Sequence, residues 1–160
     1  MFNKNKNQKG FMMVELIVIS AVLMIIVIAA SYVAKKSIEV SSRTLHTMQA
    51  GFLLEEGAEV MRVLRDTNFD NVDPAIEGSS NQYLTLVSGT WSLVDAPQTN
   101  GIFTRIINIY PVYRDSTTAD IVTSGGSLDI GTSKITITVS WPEGTETLSK
   151  SLSFYLSDLF

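Results

Sequence analysis

The chain has 160 residues, a formal net charge of −4 and a hydrophobic fraction of 45%, which leaves room for one modest domain with appendages. It contains no cysteine, so disulfide staples and thiol chemistry are excluded. From residue 67 onward ten acids stand against Arg105, Arg114, Lys134 and Lys150, a balance that repels phosphate backbones and argues against nucleic-acid binding.

The N-terminus opens with Lys4, Lys6 and Lys9 and no acid before Gly10. Phe11 to Ala34 is then apolar except for Ser20, Ser31 and one carboxylate, Glu15. Those 24 residues make a helix of about 36 Å, enough to cross a hydrocarbon core of about 30 Å. A carboxylate at membrane depth costs roughly 2.5–3.5 kcal/mol even on lenient scales, so Glu15 calls for a cation. If the chain is cut after Gly10, the new α-amine of Phe11 lies one helical turn away and supplies it. Two other readings compete. A secretory signal has an apolar region of only about 7–15 residues, and Val27-Ile28-Ala29 is a weak cleavage site. A plain single-span anchor explains length and leader charge but leaves Gly10, Phe11 and Glu15 without a reason.

The pattern Lys9-Gly10-Phe11-x-x-x-Glu15 followed by an apolar run resembles the class III signal of type IV pilins and pseudopilins. The resemblance implies cleavage after Gly10 by a prepilin peptidase, N-methylation of Phe11, and Glu15 as the assembly carboxylate. It implies as partners identical or related subunits, the membrane, and an inner-membrane assembly platform with its ATPase. The precursor is then expected to be a single-pass plasma-membrane protein with its N-terminus cytoplasmic. The product is expected to be an extracellular or periplasmic filament, of the pilus or type II secretion pseudopilus kind. Positive-inside reasoning agrees only weakly, because Lys35 and Lys36 flank the far end. The chain departs from many pilins in having no cysteine pair, and no proline before Pro74.

Beyond the apolar run, no proline interrupts Lys35 to Asp66, and only Gly51 and Gly57 weaken helix propensity, each by about 1 kcal/mol. A helix continuous from Phe11 to Asp66 would reach roughly 84 Å. At 100° per residue, Ile38, Leu45, Met48, Phe52, Leu53, Val60, Val63 and Leu64 form one broad apolar face. Leu54, Ala58 and Met61 form a smaller strip roughly opposite. Two faces suggest a helix held between its own sheet and neighbouring subunits, although deep burial alone would also explain them.

Asp66-Thr67-Asn68 supplies stop signals, and Asp70 to Gln82 reads as a connecting loop with Asp73-Pro74 and Gly78-Ser79-Ser80-Asn81. The remainder reads as strand. Tyr83–Ser88 and Thr90–Val94 flank Gly89 as a hairpin, and Ile102–Tyr113 is a strand that Pro111 confines to an edge or a bulge. Asp115–Gly131 looks like an exposed excursion. Ile135, Ile137, Val139 and Trp141 alternate with hydroxyl residues, turn through Pro142–Glu146, and return along Leu148, Leu152, Phe154 and Leu156. Lys150 falls on the inward parity, which suggests an edge or a bulge. The predicted organisation is a leader (1–10), a membrane or filament-core helix (11–34), an amphipathic helix (35–66) and a β-rich head (67–160). The fold class is α+β: a long N-terminal helix on an antiparallel sheet.

No enzyme, cofactor or metal chemistry is expected. His46 has no carboxylate at i+3 or i+4 and reads as a packing or surface residue. Glu55 and Glu56 point about 100° apart; Glu56 is expected to be solvated or paired with Arg62, Arg65 or a neighbour's cation. Asp115, Asp120 and Asp129 match no calcium-loop spacing and read as solvated loop acids. Trp91, Trp141, Tyr110 and Tyr113 read as core or sheet-face residues. Functionally the sequence points to a structural filament subunit. The alternative is a membrane-anchored extracytoplasmic binding module that does not polymerise.

Overall fold

The computed structural model describes residues 8–73 and 81–159, with side chains from residue 12 onward. The leader lysines and the Pro74–Ser80 part of the predicted loop lie outside the described residues. The fold is α+β: among the described residues a single α-helix, α1 (Gln8–Thr67), precedes seven β-strands arranged in antiparallel sheets. The chain divides into two compact units, the second starting at His46.

In the first unit α1 carries no tertiary packing: every described residue from Met12 to Leu45 is exposed. By length and composition this helix could cross a membrane. Ser20 and Ser31 return their hydroxyls to the carbonyls of Ile17 and Val27, so neither leaves a bare polar group on the apolar surface.

In the second unit the last part of α1 and the sheet share one core. The strands are β1 (Tyr83–Val87), β2 (Thr90–Val94), β3 (Thr99–Asn100), β4 (Phe103–Arg114), β5 (Ile121–Val122), β6 (Ser127–Glu143) and β7 (Glu146–Ser157). The hairpin of β1 and β2 turns at Ser88 and Gly89, both with positive φ, the two-residue turn whose twist suits paired strands. The main sheet runs β3-β4-β6-β7, with β5 on β4. β4 pairs with β6 along one edge, and its other edge carries β3, Gln82 and β5. Pro111 coincides with a register shift between Pro111 and Val112, the expected bulge. β6 and β7 pair without a break from Thr132↔Ser157 to Glu143↔Glu146. Lys150 therefore marks an edge strand, where a charge at inward parity discourages unwanted strand pairing.

The strand pattern departs from expectation at the short β3, which was not predicted, and in the 115–131 region. Ser127–Gly131 belongs to β6, and Ile121–Val122 pairs with β4, so the excursion narrows to the residues between them. The helix faces also depart. The strip predicted as minor is the core-facing one: Leu54, Ala58 and Met61 are buried with Ala50, Val60 and Leu64 against Ile107, Ile109, Ile135, Ile137 and Val139. Of the broad face, Leu45, Met48, Phe52 and Val63 remain exposed, Phe52 at 64%. Gly57 explains the choice. A Cβ there would sit 3.1 Å from Ile137 Cδ1 and 3.3 Å from Arg105 Cδ, so its missing side chain lets the helix approach β6 closely.

Candidate functional site

The three residues singled out by the sequence all lie on α1 in the first unit. Gly10 and Phe11 have helical backbone, and their side chains lie outside the described residues. Glu15 is exposed among apolar neighbours and makes no hydrogen bond or ion pair with any described residue. Met12, Met13, Leu16 and Ile19 surround it in sequence, each more than half exposed. In water such a surface is unfavourable, since hiding each large aliphatic side chain is worth about 1.5–3 kcal/mol. By length and composition this stretch could lie in a membrane, a setting in which an ionised carboxylate is costly.

The second unit holds three charged contacts that local spacing cannot reveal. His46 Nδ1 lies 2.8 Å from Glu143 Oε2, a partner 97 residues away, and Trp141 Nε1 donates to the same oxygen at 3.2 Å. The histidine ring also meets Phe103 edge-on at 6.3 Å. His46 is thus a packing residue, as expected, with a carboxylate partner that only the β6–β7 hairpin brings within reach.

Glu56 pairs with Arg105, at 2.6 Å to Nη1, and the same nitrogen donates to the Leu53 carbonyl at 3.0 Å. This corrects the expected pairing with Arg62 or Arg65. Arg62 instead meets Glu59 and lies 5.7 Å above the Phe154 ring, while Arg65 pairs with Asp66. Arg105 comes from β4, so the contact fastens the helix to the sheet across its flank.

Of the three loop acids, Asp120 is exposed, whereas the carboxylates of Asp115 and Asp129 are hydrogen-bonded within the fold. Asp115 Oδ1 accepts from the backbone N–H groups of Thr117 and Thr118 at 2.7 and 3.0 Å, and these bonds hold its carboxyl below the usual range. Asp129 is held low chiefly by Arg114, whose Nε donates to Oδ2 at 2.6 Å, and then by Thr132. The guanidinium also reaches the Ala119 carbonyl at 3.0 Å and so ties the loop to β4 and β6. Among the described residues no group of three or more metal-ligating side chains comes together.

Trp141 is core, while Trp91 is half-buried and stands between two open clefts. Tyr110 and Tyr113 lie on the sheet face turned away from the helix. No protein-family model, no curated protein and no solved structure matches the chain.

Proposed function

We propose that this chain is a structural subunit of a type IV pilus-like filament, cut after Gly10 by a prepilin peptidase, methylated on Phe11 and assembled through its N-terminal helix. The observation that carries this reading is the uncovered apolar surface of α1 from Met12 to Val33, whose one charged residue is a carboxylate with no partner among the described residues. A bilayer hides that surface in the precursor, with the N-terminus cytoplasmic. In the filament the helices of other subunits replace lipid, and the new α-amine of a Phe11 neutralises Glu15.

The exposed Leu45, Met48, Phe52 and Val63 extend the same logic towards the head, because the helix keeps an apolar face after its own sheet is satisfied. Glu15 sets the register of assembly, since an unpaired carboxylate inside a packed helical core costs several kcal/mol and disfavours misaligned subunits. Glu15→Ala tests this directly. In the native cell the variant is expected to be processed normally yet to yield few or no sheared filaments. Wild-type filament yield from Glu15→Ala would overturn the role.

A further inference from the structure

The outer face of the main sheet is mostly small and hydroxylated. Thr136 and Ser153 hydroxyls lie 3.0 Å apart across β6 and β7, and Thr138 and Ser151 hydroxyls 2.9 Å apart. At one end this carpet gives way to a cluster of different chemistry. Tyr110, Lys134 and Tyr155 are cross-strand neighbours on β4, β6 and β7, and Tyr113 joins them. Three of the chain's five tyrosines thus line one open cleft of about 370 Å³, each between 41% and 48% exposed.

The bulge at Pro111 and Val112 makes the cluster possible. In a regular strand Tyr110 and Tyr113 would point to opposite faces, since side chains alternate. Here the register breaks between Pro111 and Val112, where Ile130, Gly131 and Thr132 of β6 find no partner on β4, and Tyr110 and Tyr113 line the same cleft with Val112 buried between them in sequence. Ile121 and the Pro111 ring close the side of the cleft. No carboxylate lines it, although acids outnumber bases in this part of the chain. Lys134 is half-buried and forms no ion pair among the described residues. In register it lies between Tyr110 on β4 and Tyr155 on β7, and it is the one charged side chain lining the cleft.

We propose that this cleft binds a uronic-acid oligosaccharide, with sugar rings against the tyrosines and one carboxylate on Lys134. Exposed aromatic rings offer apolar faces to the C–H side of a pyranose, and their hydroxyls bond its rim. The serine and threonine rows continue the track with neutral hydrogen-bonding groups, which suit a polyol rather than an apolar peptide ridge. The single lysine selects a sugar acid over a neutral sugar through a charge-assisted bond. Single-stranded nucleic acid, which also stacks on tyrosines, needs a basic groove along its backbone, and one lysine on an acidic head does not provide it. The inference concerns the head alone and stands apart from filament assembly.

The test titrates the detergent-solubilised full chain with three probes: tetragalacturonic acid, its methyl ester, and an oligothymidylate of matched charge. The acid is expected to bind at least about tenfold more tightly than either alternative. Tyr110→Thr and Tyr155→Thr, which keep a strand-forming residue, each weaken it about tenfold. Lys134→Gln abolishes the difference between acid and ester, and it keeps the test decisive if a tyrosine variant fails to fold. Absence of binding by the wild-type chain, equal binding of acid and ester, or tighter binding of the oligothymidylate would overturn the proposal.

Discussion

Asp115 and Asp129 sit in the same stretch of chain and are held low for different reasons, which makes them separable. Asp115 relies on the backbone N–H groups of Thr117 and Thr118, and Asp129 first on the Arg114 guanidinium. A carboxyl depressed in the fold favours the folded state above its unfolded value of about 3.9, and that contribution fades as pH falls through the lower, folded value. Carboxyl NMR titration should place both groups below the ordinary aspartate range. Arg114→Ala should return Asp129 towards it while leaving Asp115 low. Movement of both groups together would mean that the loop depends on Arg114 for its shape. Neither partner choice was legible in the sequence, because spacing along the chain does not show that Arg114 and Asp129 face each other across β4 and β6.

His46 makes a second case at this scale. Its carboxylate partner lies at the far end of a hairpin, and Glu143 receives both the imidazole and the Trp141 indole. Removing the ring leaves a half-buried carboxylate with fewer donors. His46→Leu should therefore destabilise the head by about 1–2 kcal/mol, seen as a lower midpoint in thermal unfolding followed by near-ultraviolet circular dichroism. An unchanged midpoint would mean that Glu143 finds its hydrogen bonds elsewhere.

For the elements, hydrophobic periodicity located nearly everything but left open which helix face turns towards the sheet. The β6–β7 hairpin, the Ser88-Gly89 turn and the interruption at Pro111 follow from alternation and turn chemistry that act locally. The inward helix face does not. It is chosen by shape, since Ala50, Gly57 and Ala58 are small enough to let the helix meet Ile137 closely, whereas apolar scoring favours the bulkier side of Met48 and Phe52. Two pairs of substitutions test this reading. Gly57→Leu should cost about 1–3 kcal/mol by overpacking. Gly51→Ala, where an added Cβ meets nothing within 4 Å, should stabilise by about 0.5–1 kcal/mol. Likewise Met61→Ala should cost about 2–5 kcal/mol, whereas Phe52→Ser should leave head stability within about 0.5 kcal/mol. Denaturant melts of the four variants decide both pairs; a large loss from Phe52→Ser would place that ring in the core after all.

On the scale of the whole molecule, two apolar surfaces have separate fates. One is closed within the second unit, where helix and sheet bury Met61, Ile107, Ile135 and Ile137 completely. The other, along α1 from Met12, is left open, and by length and composition this helix could cross a membrane. The reading of Gly10, Phe11 and Glu15 rests on the sequence, where a carboxylate in an apolar run is conspicuous against its neighbours. The tyrosine cleft was not legible there, because simple alternation puts Tyr110 and Tyr113 on opposite faces, and the register break beside Pro111, with its unmatched β6 residues, does not show in the spacing of β4. The same open helix is what a filament subunit, as proposed above, would use to cohere without covalent links.

The most direct test is the intact mass and N-terminal sequence of the protein recovered from its own cells. The account predicts a chain that begins at Phe11 and carries one additional methyl group on its terminal nitrogen. A mature protein that retains Lys4, Lys6 and Lys9, or begins beyond Glu15, would contradict it.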